Sequence, residues 1–127
     1  MDQRELARAV AERSGLSREE SADIGRAVLE GLADQLSVGE AKRLALDFPD
    51  LAQWLQASRG PKKEAHPVKV YDFIRQLSQR TGLTDAEASS GAGAVLAAIR
   101  DGLGENAYGH LVGQLPAQYA SLTEAIS

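Results

Sequence analysis

The sequence predicts an all-α protein, a helical bundle made of two similar four-helix units related by internal duplication. Shifting the chain by 67 residues aligns residues 6–55 with residues 73–122 without a gap, and 13 of the 50 aligned residues are identical. No segment alternates apolar and polar residues as a half-buried strand does, so we expect no sheet. The predicted organisation is one all-helical domain, 1–127, with a first repeat at 1–58, a linker at 59–69 and a second repeat at 70–127.

The first helix of each repeat is predicted to end at a glycine. Apolar residues follow helical spacing over residues 6–10 in the first repeat and 73–77 in the second. Gly15 and Gly82 follow these runs, and glycine commonly adopts the left-handed conformation that ends a helix. The two first helices should therefore stop at the same aligned position.

The second helix of each repeat is predicted to begin at a capping box. In this motif a hydroxyl accepts a hydrogen bond from an N–H at the helix start, and a glutamate accepts one from the cap's own N–H. Ser17 and Glu20 supply the first box, and Thr84 and Glu87 supply the second. The long apolar stripe that follows in both repeats predicts the longest helix of each unit.

A third helix and a short fourth helix complete each repeat. Ser37 and Glu40 open the third helix of the first repeat. Pro49 and Pro116 end the third helices, because proline disfavours the helical conformation of the residue before it, and each can begin a fourth helix. The linker at 59–69 contains proline and glycine and is expected not to be helical.

Sequence motifs occur in the same order in the two repeats. The first contains ERSGLSREES…AVLEGLADQL…FPDL, and the second contains QRTGLTDAEA…AVLAAIRDGL…LPAQY. These motifs resemble the two halves of the bacterial family catalogued as domain of unknown function 2267, over almost the whole chain. The resemblance implies an all-α fold and supplies no activity, ligand or catalytic residue.

A second resemblance covers only Glu5–Leu36. This segment, ELARAVAERSGLSREESADIGRAVLEGLADQL, is similar to the opening helix pair of the HU-type nucleoid proteins. Those proteins continue with strands and a basic arm, whereas this chain continues with a third helix and an acidic balance. We interpret the shared part as helix–turn–helix packing and do not expect DNA binding.

Composition excludes several kinds of chemistry. The chain has no cysteine, so disulfides, thiolate metal ligands and a cysteine nucleophile are excluded. Neither His66 nor His110 has a partner at metal-ligand spacing. We therefore predict no metal, no cofactor and no catalytic residue, and we expect a protein that is not an enzyme.

Charge and hydropathy restrict the partners and the location. A net charge of −4 argues against the positive field that non-specific nucleic-acid binding uses. No apolar stretch approaches the roughly 18 residues of a membrane span, and the charged N-terminus lacks the apolar segment of a signal peptide. The expectations are a cytoplasmic protein, no membrane partner and little role for nucleic acid.

Small residues interrupt the long helix of the second repeat. Gly91 and Gly93 lie inside this predicted helix, and each costs about 1 kcal/mol relative to alanine. Close approach of another helix would compensate for this cost, either within the fold or across a dimer, and a ligand is a third alternative. The predicted interaction surface consists of Ser89, Ser90, Gly91 and Gly93.

Positive charge is concentrated in the linker. Residues 59–69 hold four basic residues and one acidic residue. Arg59, Lys62, Lys63 and Lys69 are candidate contacts for a phosphate or an acidic partner. The alternative is that these charges only solvate the linker.

The leading functional hypothesis is a non-catalytic helical module that binds a protein partner or itself. It would use a groove between the repeats or the small-residue face of the second long helix. A small-molecule or lipid binder, with an apolar cavity between the helical units, is the first alternative. A nucleic-acid accessory protein, based on the HU-like helix pair and the basic linker, is the second.

Overall fold

A computed structural model describes residues 1–57, the first half, and residues 68–124, the second half. This part of the chain contains helices and turns and no strand, which confirms the all-α prediction. Its helices are α1 (Gln3–Ser14), α2 (Arg18–Gln35), α3 (Val38–Asp47), a 3₁₀ turn (Pro49–Leu51), α4 (Ala52–Ala57), α5 (Val70–Thr81), α6 (Asp85–Leu103), α7 (Glu105–Val112) and α8 (Tyr119–Glu124).

The helix boundaries follow the predicted caps. Gly15 ends α1 and Gly82 ends α5, and both have a φ of 78° in the left-handed region. At the start of α2, the Ser17 hydroxyl accepts from the Glu20 N–H at 3.1 Å, and the Glu20 carboxylate accepts from the Ser17 N–H at 3.0 Å. The same reciprocal pair begins α6 at Thr84. These local predictions are confirmed.

The third helices of the two halves begin differently. The Ser37 hydroxyl caps α3 by accepting from the Glu40 N–H at 3.2 Å. The second half has Gly104 at the aligned position, with a φ of 86° and no side chain to act as a cap. α3 ends directly before Phe48 and Pro49, as predicted, and Pro49 begins the 3₁₀ turn. α7 ends earlier than predicted, at Val112 with Gly113 as its C-cap, so Pro116 does not end this helix; the Pro116 carbonyl accepts from the first N–H of α8.

The long helices α2 and α6 contact each other, and α1 and α5 each pack against both of them. The first helix of each half therefore contacts the long helix of the other half. α4 packs on α2 and on α3, and α7 and α8 pack on α6. Buried side chains from both halves form a single hydrophobic cluster dominated by leucine, alanine, valine and isoleucine.

Gly91 allows α6 to approach α2 closely. A Cβ atom at position 91 would lie 2.8 Å from Cγ1 of Ile24 and 3.3 Å from Cδ1 of Leu16. Ile24 is fully buried and β-branched, so it has little freedom to move aside. Positions 24 and 91 are also aligned by the 67-residue shift. At this contact the aligned residues of the two long helices face each other, and the large side chain of Ile24 fills the space that the glycine leaves open.

Substituting Gly91→Ala should destabilise the protein, because the added methyl group would collide with Ile24. Overpacking of this kind costs about 1–3 kcal/mol, against a gain of about 1 kcal/mol in helix propensity. Gly109→Ala is the matched control, since a Cβ at this exposed position of α7 meets nothing within 4 Å. Urea unfolding should show a loss for the first variant and no loss for the control. Equal stability of the two variants would contradict the role of Gly91.

A buried polar network holds the chain just before α5. The Gln35 side-chain amide donates to the Tyr119 hydroxyl at 2.9 Å, and that hydroxyl donates to the Val68 carbonyl at 2.7 Å. The Val68 N–H donates to the side-chain oxygen of Gln35, Oε1, at 2.9 Å, which closes the ring of bonds. Gln35 and Tyr119 are 1% and 0% exposed, so the mutual bonds satisfy groups that water does not reach.

Removing the Tyr119 hydroxyl should change stability in a pH-dependent way. Burial raises the pKa of Tyr119 from 10.0 to about 12, because the folded protein disfavours the phenolate. The free energy of unfolding that the neutral phenol contributes is fully present below pH 10 and is lost as the pH rises from 10 to 12. Tyr119→Phe should lower the free energy of unfolding at pH 8 by about 1–2 kcal/mol and flatten its decline above pH 10. Parallel stability curves for the two proteins would disprove this.

Candidate functional site

A groove of about 570 Å³, the α3–α7 groove, lies between the third helices of the two halves. The end of α6 also contributes to its lining. Its apolar surface comes from Leu44 of α3, Leu103 of α6 and Ala107 and Leu111 of α7. Leu44 and Leu111 are aligned by the internal shift, so the groove lies where corresponding parts of the two halves face each other.

The position of α3 depends on a second glycine contact. A Cβ atom at Gly102, near the end of α6, would lie 2.7 Å from Cε1 of the Phe48 ring. Phe48 is buried and directly follows α3. The absence of a side chain at position 102 therefore lets the end of α3 pack beside the end of α6, which sets one wall of the groove.

The polar lining consists of Glu40, Arg43 and Asp47 on α3 and Asn106 and His110 on α7. Glu40 is the most buried charge among them, with a side chain only 15% exposed, whereas that of His110 is 62% exposed. Glu40 Oε2 lies 3.7 Å from His110 Nε2, which is too long for a hydrogen bond. Within residues 1–57 and 68–124, no donor is within hydrogen-bond distance of the Glu40 carboxylate.

The predicted interaction surface on α6 falls in two environments. Gly91 and Gly93 are buried, and Ser89 and Ser90 are half-buried. Gly91 contacts Ile24 and so serves close helix approach within the chain, the first of the alternatives. Only the two serines reach solvent, and their role in binding stays a prediction.

Of the four predicted anion contacts, the structure describes one. Arg59, Lys62 and Lys63 lie outside the described residues. Lys69 immediately precedes α5 and is exposed. It lines a shallow depression together with Asp72, so the charge there is mixed. Anion binding at these residues stays a prediction.

A buried carboxylate on α2 was not predicted. The Glu30 side chain is 7% exposed and pairs with Arg80 of α5 and, at 3.3 Å, with Arg26 of α2. Arg13 of α1 makes the corresponding cross-half ion pair with Asp101 of α6. The identity of Arg13 and Arg80 in the alignment was a signal for these contacts. Because Glu30 is paired with two guanidinium groups, we assign it a structural role.

The described ranges, residues 1–57 and 68–124, contain neither a metal-binding cluster nor a membrane-spanning helix. There, no group of three or more histidine, aspartate or glutamate side chains is arranged to hold a metal ion. The helices of the same ranges include none that is both long and apolar enough to cross a membrane.

The amino-acid sequence matches the model of a known protein family. The model of a family described as "uncharacterized conserved protein (DUF2267)" matches residues 3–122. The chain belongs to this family. The match confirms the DUF2267 resemblance seen in the repeats, whereas the HU-type resemblance receives no support. Comparisons with curated proteins and with solved structures gave no match.

The lining of the α3–α7 groove in this DUF2267 protein was only partly foreseeable. A groove between the repeats was one of the two alternative binding surfaces, but its residues were not predicted. The alignment of Arg43 with His110, and of Leu44 with Leu111, was the available signal, because corresponding helices of paired units can face each other. His110 is largely exposed, as its alignment with a polar residue indicated.

Glu40→Gln should leave the free energy of unfolding within about 1 kcal/mol of the wild type, because its ionic partner is exposed and distant. Arg80→Met should lower it by about 3 kcal/mol, because the buried Glu30 carboxylate would lose a guanidinium partner. Denaturant titrations of both variants provide the comparison. If Glu40→Gln were as destabilising as Arg80→Met, Glu40 would be a structural residue and not a site residue.

Proposed function

We propose that this DUF2267 protein is a non-enzymatic interaction module that binds a segment of a protein partner in the α3–α7 groove. The observation that carries the proposal is the groove itself. Its apolar lining comes from leucines of both halves, and charged side chains border it. Apolar grooves between helices, with a polar rim, are a recurrent binding site for protein segments.

The chemistry of the lining supports a binding role over catalysis. Glu40 and His110 are the groups best suited to transfer a proton there, and they are not hydrogen-bonded to each other. The described residues that line the groove include no serine, threonine, lysine or tyrosine nucleophile. A base without an oriented partner or nucleophile lacks the arrangement that activates a reaction.

α3 also carries an exposed apolar side chain that does not line the groove. Leu46 lies between Arg43 and Asp47 on α3 and is 81% exposed. A partner segment that crossed α3 could cover this side chain as well as the leucines of the lining. The same helix would then provide both the wall of the groove and an outer contact.

Binding of a small molecule or lipid is the second candidate. The groove volume of about 570 Å³ falls within the range of roughly 300–1,000 Å³ that is typical of ligand pockets. Native mass spectrometry of freshly purified protein would reveal a bound molecule as an additional mass. The nucleic-acid alternative depends on linker cations, three of which lie outside the described residues.

Internal duplication, a bacterial origin and a cytoplasmic location complete the proposal. Three aligned pairs support duplication: glycines with equal φ end α1 and α5, arginines bridge to the opposite long helix, and Ile24 faces Gly91. The bacterial origin rests on the repeat motifs, and the absence of cysteine is consistent with a reducing compartment.

A photo-crosslinking amino acid in place of Asn106 tests the binding role in cells. It should capture one defined protein partner through the groove. Ala107→Trp should abolish this capture, because the indole would fill space between the leucines. Ala86→Trp, at an exposed position near Ser89 and Ser90 on α6, is the matched control and should have no effect. Loss of capture with Ala86→Trp alone would move the interface to the predicted serine surface.

A further inference from the structure

We infer that the partner segment presents a cationic side chain, an arginine or a lysine, to Glu40 in the α3–α7 groove. This inference rests on the proposed function and specifies the chemistry of the partner. It starts from the charge in the groove that is least well satisfied within the chain.

Glu40 is that charge. Its side chain is 85% removed from solvent, on the basis of an exposed fraction of 15%. Its carboxylate accepts no hydrogen bond from the described residues, so a donor that enters the groove can bind it without displacing a partner within the chain. Among residues 1–57 and 68–124, the basic side chain within 4 Å of it is that of His110, and that contact is ionic only when the ring is protonated. A cationic donor from outside would supply a hydrogen bond to this carboxylate.

The remaining charges of the groove do not favour an anion instead. Arg43 is exposed, so water and salt already compensate its charge. Asp47 adds a second carboxylate on the same wall of α3. The lining thus contains two carboxylates, those of Glu40 and Asp47, and one guanidinium, that of Arg43. The half-buried carboxylate of Glu40 therefore gains more from an opposite charge than the exposed guanidinium of Arg43 does.

The apolar lining matches the rest of such a side chain. Leu44, Leu103 and Leu111 line the groove together with Glu40. Arginine and lysine carry three or four methylene groups, which pack on apolar surface while the charged end meets a polar group. An arginine suits Glu40 best, since its planar guanidinium donates two parallel hydrogen bonds to a carboxylate.

Peptide titration of the full chain tests this inference. We would add three capped tripeptides, Leu-Arg-Leu, Leu-Gln-Leu and Leu-Glu-Leu, to ¹⁵N-labelled protein and follow the backbone amides of α3 and α7. The arginine peptide should bind about ten-fold more tightly than the glutamine peptide, because it gains a charge-assisted hydrogen bond. The glutamate peptide should bind more weakly than either.

Two glutamate variants identify the residue responsible. Glu40→Gln should remove the preference for arginine over glutamine. Glu12→Gln is the control, because Glu12 is an exposed carboxylate on α1 whose contact is an ion pair with Arg8 at 3.8 Å. This variant should retain the full ten-fold preference.

The outcomes separate the inference from the proposed function. If the three peptides shift the groove amides with equal affinity, the groove is a protein-binding site but the cationic partner is wrong. If the arginine preference survives Glu40→Gln, the inference about Glu40 is overturned. If none of the peptides shifts an amide of α3 or α7, the cationic partner and the groove as a peptide site both fail.

Discussion

The close contact between α2 and α6 determines how the other helices are arranged. Gly91 leaves room for the side chain of Ile24, so the backbone of α6 lies directly against that side chain of α2 at this point. α1 and α5 can then each contact both long helices. A glycine inside a helix weakens that helix locally, and the buried cluster that both halves build around the contact offsets the cost. Gly102 has a similar effect at the far end of α6, where it accommodates Phe48.

Local features of the fold could be predicted from the sequence, whereas contacts between distant residues could not. Gly15, the Ser17 capping box and Pro49 act within a few residues of themselves, so their effects follow from short-range backbone chemistry. The pairing of Glu30 with Arg80 joins residues 50 positions apart, and the bond between Gln35 and Tyr119 joins residues 84 positions apart. Helical periodicity indicates which face of a helix is buried, but it does not indicate which side chain will lie opposite.

The candidate site was predictable to the same limited extent. A groove between the repeats was one of two alternative binding surfaces, and the small residues Ser89, Ser90, Gly91 and Gly93 formed the other. In the structure, Gly91 contacts Ile24 within the chain. The residues that differ between the repeats and also border a groove lie on α3 and α7. Glu40 is aligned with Ala107 and Arg43 with His110, so the two walls carry different chemistry on similar backbones. Because the two walls differ, a bound segment would meet different side chains on α3 and on α7.

The crossed packing of the first helices has a consequence for synthesis of the protein in the cell. α1 lies against α6, and α2 lies against α5 and α6, so residues of the first half complete their burial only with residues of the second. A nascent chain that ends before Asp85 therefore exposes the apolar face of α2 to its surroundings. Ribosomes add about 5–20 residues per second, so this face stays uncovered for several seconds while α5 and α6 are made. During that interval the part of the α2 surface that α5 and α6 later cover is exposed apolar surface of the kind that promotes aggregation.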